Sequence, residues 1–233
     1  MRLFWDFFET FIKYKDVKIK IGKVGGSIVV YIIGIGGGSG SGKTTLANAL
    51  QNIYQNEISV VNFDSYCLSA DGMPMEERAK RNYDVPSSYD MELFEKHLQL
   101  LKDGKEIECP VFDFATHSRT KDVVHIKPNK IIIVEGILVF QAQKALKDMD
   151  LKVYIDASTE ARFQRRLQRD IVERGRTPES VTNQFYSTVL PMHNIYIEPT
   201  KEICDFVLNN DKDNGLDLKQ VQEIVRIIND NIY

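Results

Sequence analysis

Residues 34–45 read GIGGGSGSGKTT, six glycines in twelve positions, directly behind the apolar run SIVVYII. Such a segment takes a strand into a helix through a turn with little room for side chains, and two phosphate-binding devices are built that way. The dinucleotide-binding turn needs glycines at i, i+2 and i+5. No start satisfies it: Gly34 fails at Ser39, Gly36 at Ser41, Gly38 at Lys43 and Gly40 at Thr45. The mononucleotide loop needs G-x4-G-K-[ST], and Gly37, Gly42, Lys43 and Thr44 supply every fixed position, ahead of the helix-forming TLANALQNIY. The backbone from Gly37 through Gly38, Ser39, Gly40, Ser41 and Gly42 to Thr45 then turns its N–H groups toward phosphate oxygens, and the helix adds its positive end. Lys43 is expected to reach the β- and γ-phosphates, and the Thr44 hydroxyl to sit on Mg²⁺. A flexible Gly/Ser linker would need neither the Lys-Thr pair nor the flanking strand and helix.

A chain of 233 residues, 43% hydrophobic and 27% charged, can bury a full core and is expected to form one α/β domain with insertions. Its net charge of −3 argues against a nucleic-acid partner. The three cysteines, Cys67, Cys109 and Cys204, share no C-x-x-C spacing and read as reduced thiols of a cytoplasmic protein. The aromatic start carries Asp6 and Glu9 inside its apolar run, which excludes a signal peptide and a transmembrane segment. Leu3, Phe4, Phe7, Phe8, Phe11 and Ile12 recur at helical spacing before DVKIKIGK alternates at strand spacing. Residues 1–27 thus form an amphipathic extension, either docked on the protein's own surface or poorly ordered, with a membrane or partner anchor as the alternative.

Further strands are expected at ISVVNFD (58–64), IIIVEG (131–136), LKVYIDA and CDFVLNN, alternating with helices. That alternation predicts a parallel sheet with its site at the strand C-termini. MELFEKHLQLLKDGK places Leu93, Phe94, His97, Leu98 and Leu101 on one helical face and stops at Gly104. The stretch 106–127 breaks the alternation with two extended runs about a polar turn, a β-hairpin suited to covering a substrate.

Glu135 and Asp64 end neighbouring strands, where a phosphate loop needs carboxylates to organise a metal. The N-K-x-D motif that reads guanine in GTPases is absent. A kinase instead needs a base for the attacking hydroxyl, which a strand-end Asp can supply. In STEARFQRRLQRDIVERGRTPESV, Arg162, Arg165, Arg166 and Arg169 fall within an arc of roughly 100°, with Phe163, Leu167 and Ile171 on a separate, packing face. Gly175, between Arg174 and Arg176, ends that helix, and Thr177-Pro178 opens the next as cap and first-turn proline. This pattern fits an Arg-rich lid over triphosphate; a solvated face paired to Glu160, Asp170 and Glu173 is the alternative.

Taken in order, GGSGSGKTT, FDSY, NYDVPSSYD, PVFDFATHSR, EGIL, RRLQRDIVERGR and EPTK resemble the uridine kinase (uridine–cytidine kinase) family over about residues 28–210. The resemblance implies a P-loop kinase fold, a five-stranded parallel sheet flanked by helices with a β-hairpin insertion. It makes residues 28–233 a nucleoside kinase domain that phosphorylates the 5′-hydroxyl of uridine or cytidine with ATP or GTP and Mg²⁺, usually as a homotetramer. By motif position, Asp64 is the base, with Lys43 as its catalytic companion. Asp84, Arg166 and Arg176 meet the ribose, and His117 and Gln184 face the nucleoside beside Phe112 and Phe114. Arg169 and Arg174 contact phosphates, while Thr44, Asp64 and Glu135 serve the metal. Cys67, Val85 and Phe112 depart from the family's usual tyrosine, histidine and tyrosine, all around the nucleoside. The late PRG..N segment is missing from VLNNDKDN. Two other readings stay open. A phosphoribulokinase-like enzyme would need a basic cluster near THSR, where only Arg119 and Lys121 stand, and a catalytically weak nucleotide-binding regulator would not need Asp64.

Overall fold

The structure, a computed structural model, describes residues 30–211 and 215–233. The 1–27 extension therefore lies outside the described residues. In chain order the elements are β1 (Tyr31–Gly36), α1 (Lys43–Tyr54), β2 (Ile58–Asn62), α2 (Met75–Lys80), α3 (Met91–Lys102), β3 (Ile107–Asp113), β4 (Ser118–Ile126) and β5 (Ile131–Glu135). They continue as α4 (Gln143–Lys147), β6 (Leu151–Asp156), α5 (Thr159–Arg174), α6 (Pro178–Gln184), α7 (Leu190–Met192), β7 (Phe206–Asn209) and α8 (Leu218–Ile232).

The sheet order is β2-β5-β1-β6-β7 with every pairing parallel, and β3 pairs antiparallel with β4 as a separate hairpin. Each half of that arrangement follows from patterning. Strand β5, IIIVE, is buried along its whole length because helices cover both faces of a parallel sheet. Alternate residues divide between two cores: Ile33, Ile35, Ile131 and Ile133 pack with Leu46 and Leu50 of α1 and Val221 and Ile224 of α8, while Ile32, Ile132 and Val134 pack with Phe63, Phe94 and Leu98. The hairpin strand β4 alternates poorly and is mostly exposed, as expected of an insertion outside the sheet.

Helix α3 buries Phe94, His97, Leu98 and Leu101 as the spacing predicts, and Gly104 follows it in a left-handed conformation at φ 75°. Two expectations need correction. The 58–64 strand stops at Asn62: Phe63–Tyr66 turn into a 3₁₀ segment in which the Asp64 N–H donates to the Asn62 side chain, so Asp64 sits on a turn beyond the strand. On α5, Phe163 and Leu167 pack with Phe185, Val189 and Leu190, but Ile171 stays 36% exposed. That small cluster ends a turn before Ile171, which is left without a neighbouring layer.

Candidate active site

The phosphate loop lies where β1 ends, and backbone conformation there requires glycine. Gly40 (φ 80°) lies against the backbone of Arg162 so closely that a Cβ would collide with its carbonyl, and Gly42 (φ 108°) leads into α1. No side chain caps α1 and no acid lies in its first turn, so among the described residues its leading N–H groups keep their attraction for an anion. The Lys43 ammonium, 7% exposed, donates to the Gly38 carbonyl at 3.0 Å. Burial lowers its pKa against the opposing pull of Glu135 and Asp64. The loop is also braced from behind: Asn210 Nδ2 donates to the Ser41 carbonyl at 2.6 Å, and Arg166 Nη1 donates to Ser39 Oγ at 2.8 Å.

Beside the loop, Thr44 Oγ1 donates to Glu135 Oε1 at 3.1 Å. Burial raises the Glu135 carboxyl above its ordinary range, and Asp64 raises it further against Lys43 and Thr44. Asp64 receives a hydrogen bond from the Tyr89 hydroxyl at 3.3 Å, while its own N–H donates to Asn62 Oδ1 at 2.8 Å. Among the described residues no cluster of three His, Cys, Asp or Glu side chains could hold a metal by itself. A hydroxyl and one or two carboxylates suit Mg²⁺, a hard cation that takes its remaining ligands from phosphates and waters.

One cavity gathers the rest. Asp64, Asp84, Phe112, Phe114, His117, Arg166, Arg169, Arg174, Arg176 and Gln184, ten residues drawn from five segments of sequence, line the same space as Ser39. Its far wall is aromatic. The Phe112 ring meets Tyr83 at 5.9 Å and Phe114 at 5.3 Å, both edge-on, and His117 stacks on Tyr83 at 5.5 Å. The His117 backbone is left-handed at φ 51°, and among the described residues its ring makes no hydrogen bond. Burial, then Arg176 and Arg174, hold its pKa below the usual value, so the imidazole is neutral near pH 7. Asp84 is buried; that burial raises its carboxyl, with Asp64 adding to the rise and Arg166 and Lys43 opposing it.

The arginines are neither splayed in water nor equivalent. Arg162 is buried against Gly38 and does not line the cavity, whereas Arg165 Nη1 donates to the Asn210 carbonyl at 2.8 Å. Gln184 Oε1 accepts from Arg166 at 2.9 Å and from Arg176 at 2.6 Å, which leaves its amide NH₂ for a ligand. Arg174 lies 4.2 Å over the Phe114 ring and so ties the end of α5 to the hairpin. Gly175 in a left-handed conformation and the Thr177 cap with Pro178 close the turn as the sequence predicts. Arg119, the cation available for a second phosphate, is committed elsewhere: it donates to the carbonyls of Cys67 (2.7 Å) and Tyr66 (2.8 Å) and to Asp90 (3.2 Å). Lys121 is exposed and lies outside the cavity.

Three contributors escaped the sequence reading: Tyr83, Tyr89 and Asn210. Tyr83 lies inside the quoted NYDVPSSYD and could have been found there. Asn210 follows β7 and carried no signal of contact with a loop 169 positions away in sequence.

Comparison with known proteins follows the same boundaries. Residues 32–216 match the model of the phosphoribulokinase/uridine kinase family. A uridine kinase from Lactobacillus helveticus is 47% identical over 187 residues, 79% of this chain and 89% of that protein. One from Clostridium botulinum (strain Kyoto) is 46% identical over 178 residues, covering 76% and 86%. Among solved structures, D-glycerate 3-kinase from Cryptococcus neoformans superposes with a TM-score of 0.60 at 16% identity over 88% of this chain and 92% of its own, a likeness of fold. Among the described residues no helix is long and apolar enough to cross a membrane.

Proposed function

Because this chain belongs to the phosphoribulokinase/uridine kinase family, we propose that it is a pyrimidine ribonucleoside kinase transferring the γ-phosphoryl of ATP to the 5′-hydroxyl of uridine or cytidine. The observation that carries this reading is the cavity in which Asp64 faces an aromatic box, next to a phosphate loop, with Arg119 unavailable for an acceptor phosphate. That last feature disfavours a sugar-phosphate kinase. Retention of Asp64 beside Lys43 disfavours a passive nucleotide binder. Relatives named uridine kinase support the same substrate class.

In this reading the loop N–H groups and Lys43 hold the triphosphate, with Arg169 and Arg174 neutralising charge on the transferred group. Asp84, Arg166 and Arg176 orient the ribose, and Asp64 takes the 5′-hydroxyl proton as that oxygen attacks phosphorus and ADP leaves. Mg²⁺ would be held by Thr44, Glu135 and Asp64, and supplies charge neutralisation at the β- and γ-phosphates when bound. GTP as an alternative donor, a cytoplasmic setting and assembly as a homotetramer belong to the same reading and rest on the family resemblance.

The test is ADP release by the purified protein with Mg·ATP and a panel of nucleosides and sugar phosphates. Uridine and cytidine should both be used, with discrimination under roughly 30-fold, about 2 kcal/mol. A neutral imidazole can donate to a uracil carbonyl or, as the other tautomer, accept from a cytosine amino group. Purine nucleosides should be poor acceptors; a purine as best acceptor, or a sugar phosphate preferred over every nucleoside, would overturn the assignment.

His117→Ala should lower kcat/KM for both pyrimidines by about 10- to 100-fold, the cost of an unpaired polar group at the base, while ATP affinity holds. Alanine also tolerates φ 51° poorly, so His117→Asn, which accepts that backbone, serves as the control for strain. Wild-type kinetics in both variants would remove His117 from base reading.

A further inference from the structure

Asp170 has no role in the reading above, yet its side chain is 0% exposed and lies among four arginines. Its two oxygens divide them. Oδ1 accepts from Arg169 at 2.7 and 2.9 Å and lies 3.3 Å from Arg174, the pair assigned to phosphates. Oδ2 lies 3.4 Å from Arg176 and 3.6 Å from Arg166, the pair assigned to the ribose. The Asp170 carbonyl also accepts from the Gly175 and Arg176 N–H groups, which fixes the carboxylate relative to the turn between α5 and α6. Burial alone would raise this carboxyl, but Arg169, Arg166 and Arg174 together bring it below its ordinary value, so it is ionised across the neutral range.

The contacts are unequal in a telling way. The phosphate-side bonds to Arg169 are short, whereas the ribose side is unfinished. Arg166 Nε is buried and has no hydrogen-bond partner among the described residues, with Asp170 Oδ2 standing 3.6 Å away. A triphosphate drawing Arg169 and Arg174 toward itself takes from Oδ1 the two partners that compete with Arg166 and Arg176 for the carboxylate. The carboxylate can then tighten on Arg166 and Arg176 and hold them in place for a ribose.

We propose that Asp170 is a positioning residue that couples donor and acceptor binding, passing the arrival of triphosphate on one oxygen to the ribose-binding arginines on the other. This rests on the nucleoside kinase reading. A carboxylate serving only to neutralise the cluster would support each ligand separately and leave the two bindings independent. A coupling residue changes their product, and reciprocity requires each ligand to tighten the other by the same factor.

The experiment is calorimetric titration of the full chain with uridine and with the non-hydrolysable analogue AMP-PNP plus Mg²⁺, each alone and in the presence of the other. Wild type should show mutual tightening of about tenfold. In Asp170→Asn the factor should fall below about twofold while each ligand still binds alone. Full coupling retained in the variant, or no coupling in wild type when both ligands bind, overturns the inference and leaves the kinase reading standing. Failure of both ligands to bind wild type overturns the kinase reading and this inference with it. If Asp170→Asn does not fold, Arg169→Gln and Arg176→Gln carry the test. The first should weaken AMP-PNP alone, the second uridine alone, and both should lose coupling; coupling kept in both overturns the proposal.

Discussion

Lys43→Ala should be all but inactive as a kinase, with phosphorylation of uridine reduced by about 10³-fold or more, the upper end of what one transition-state donor is worth. The free enzyme holds the ammonium against the Gly38 carbonyl, within the field of Glu135 and Asp64, in a pocket that excludes most water. Burial there makes the charge stronger toward anything it meets, because little solvent screens it. The same burial disfavours the charged form, so the ammonium gains from an incoming triphosphate what the site withholds from it when empty. Alanine removes both the charge and the bond that holds the loop's own carbonyl. Lys43→Met separates these losses from volume: it fills the space and still lacks the cation, so it should be as inactive as alanine. The measurement is single-turnover phosphorylation at saturating ATP alongside AMP-PNP titration. Undiminished phosphorylation by either variant would sink the assignment of this loop to triphosphate.

How much of this was legible in the sequence depended on whether a residue's role was local. The loop register, the strand alternation and the α5–α6 turn are written in short spacings, because a left-handed Gly175 and a Thr177 cap act within three residues. The buried strand β5 was legible for the same reason. Asp64 lies on a different element from the one expected, since its N–H donates to the Asn62 side chain two residues back, where the strand gives way to a 3₁₀ segment. Ile171 fits the helical period and yet lacks a layer to pack on, which periodicity cannot report.

Long-range partners were the least legible. Spacing allowed Asp170 as a counter-ion on a wet helix face, with Arg166 and Arg174 one turn either side of it; only the turn at Gly175 returns Arg176 to it, and only the fold buries it. Arg119 looked like a free cation until the hairpin set it against the carbonyls of Tyr66 and Cys67. For Arg119 the sequence contained the charge but not its carbonyl acceptors, which lie on backbone more than fifty positions away.

Asp64→Asn should lower kcat by on the order of 10²- to 10⁴-fold with AMP-PNP affinity largely kept. The substitution is nearly isosteric, and the surroundings can receive it. The Asp64 N–H keeps its bond to Asn62, the Tyr89 hydroxyl can donate to an amide oxygen as it does to Oδ1, and the Phe63 and Tyr89 rings remain stacked at 4.8 Å. What the amide cannot do is accept the 5′-hydroxyl proton, so the loss should fall on the chemical step and not on assembly of the site. Any share Asp64 has in holding Mg²⁺ would appear separately, as a higher metal concentration for half-maximal rate. Tyr89→Phe offers a graded companion: it keeps the carboxylate and removes one donor that orients it, so kcat should fall by less than in Asp64→Asn. A fall in kcat of less than tenfold for Asp64→Asn, at saturating metal and both substrates, would remove Asp64 from the role of base and leave transfer to proceed by positioning and charge alone.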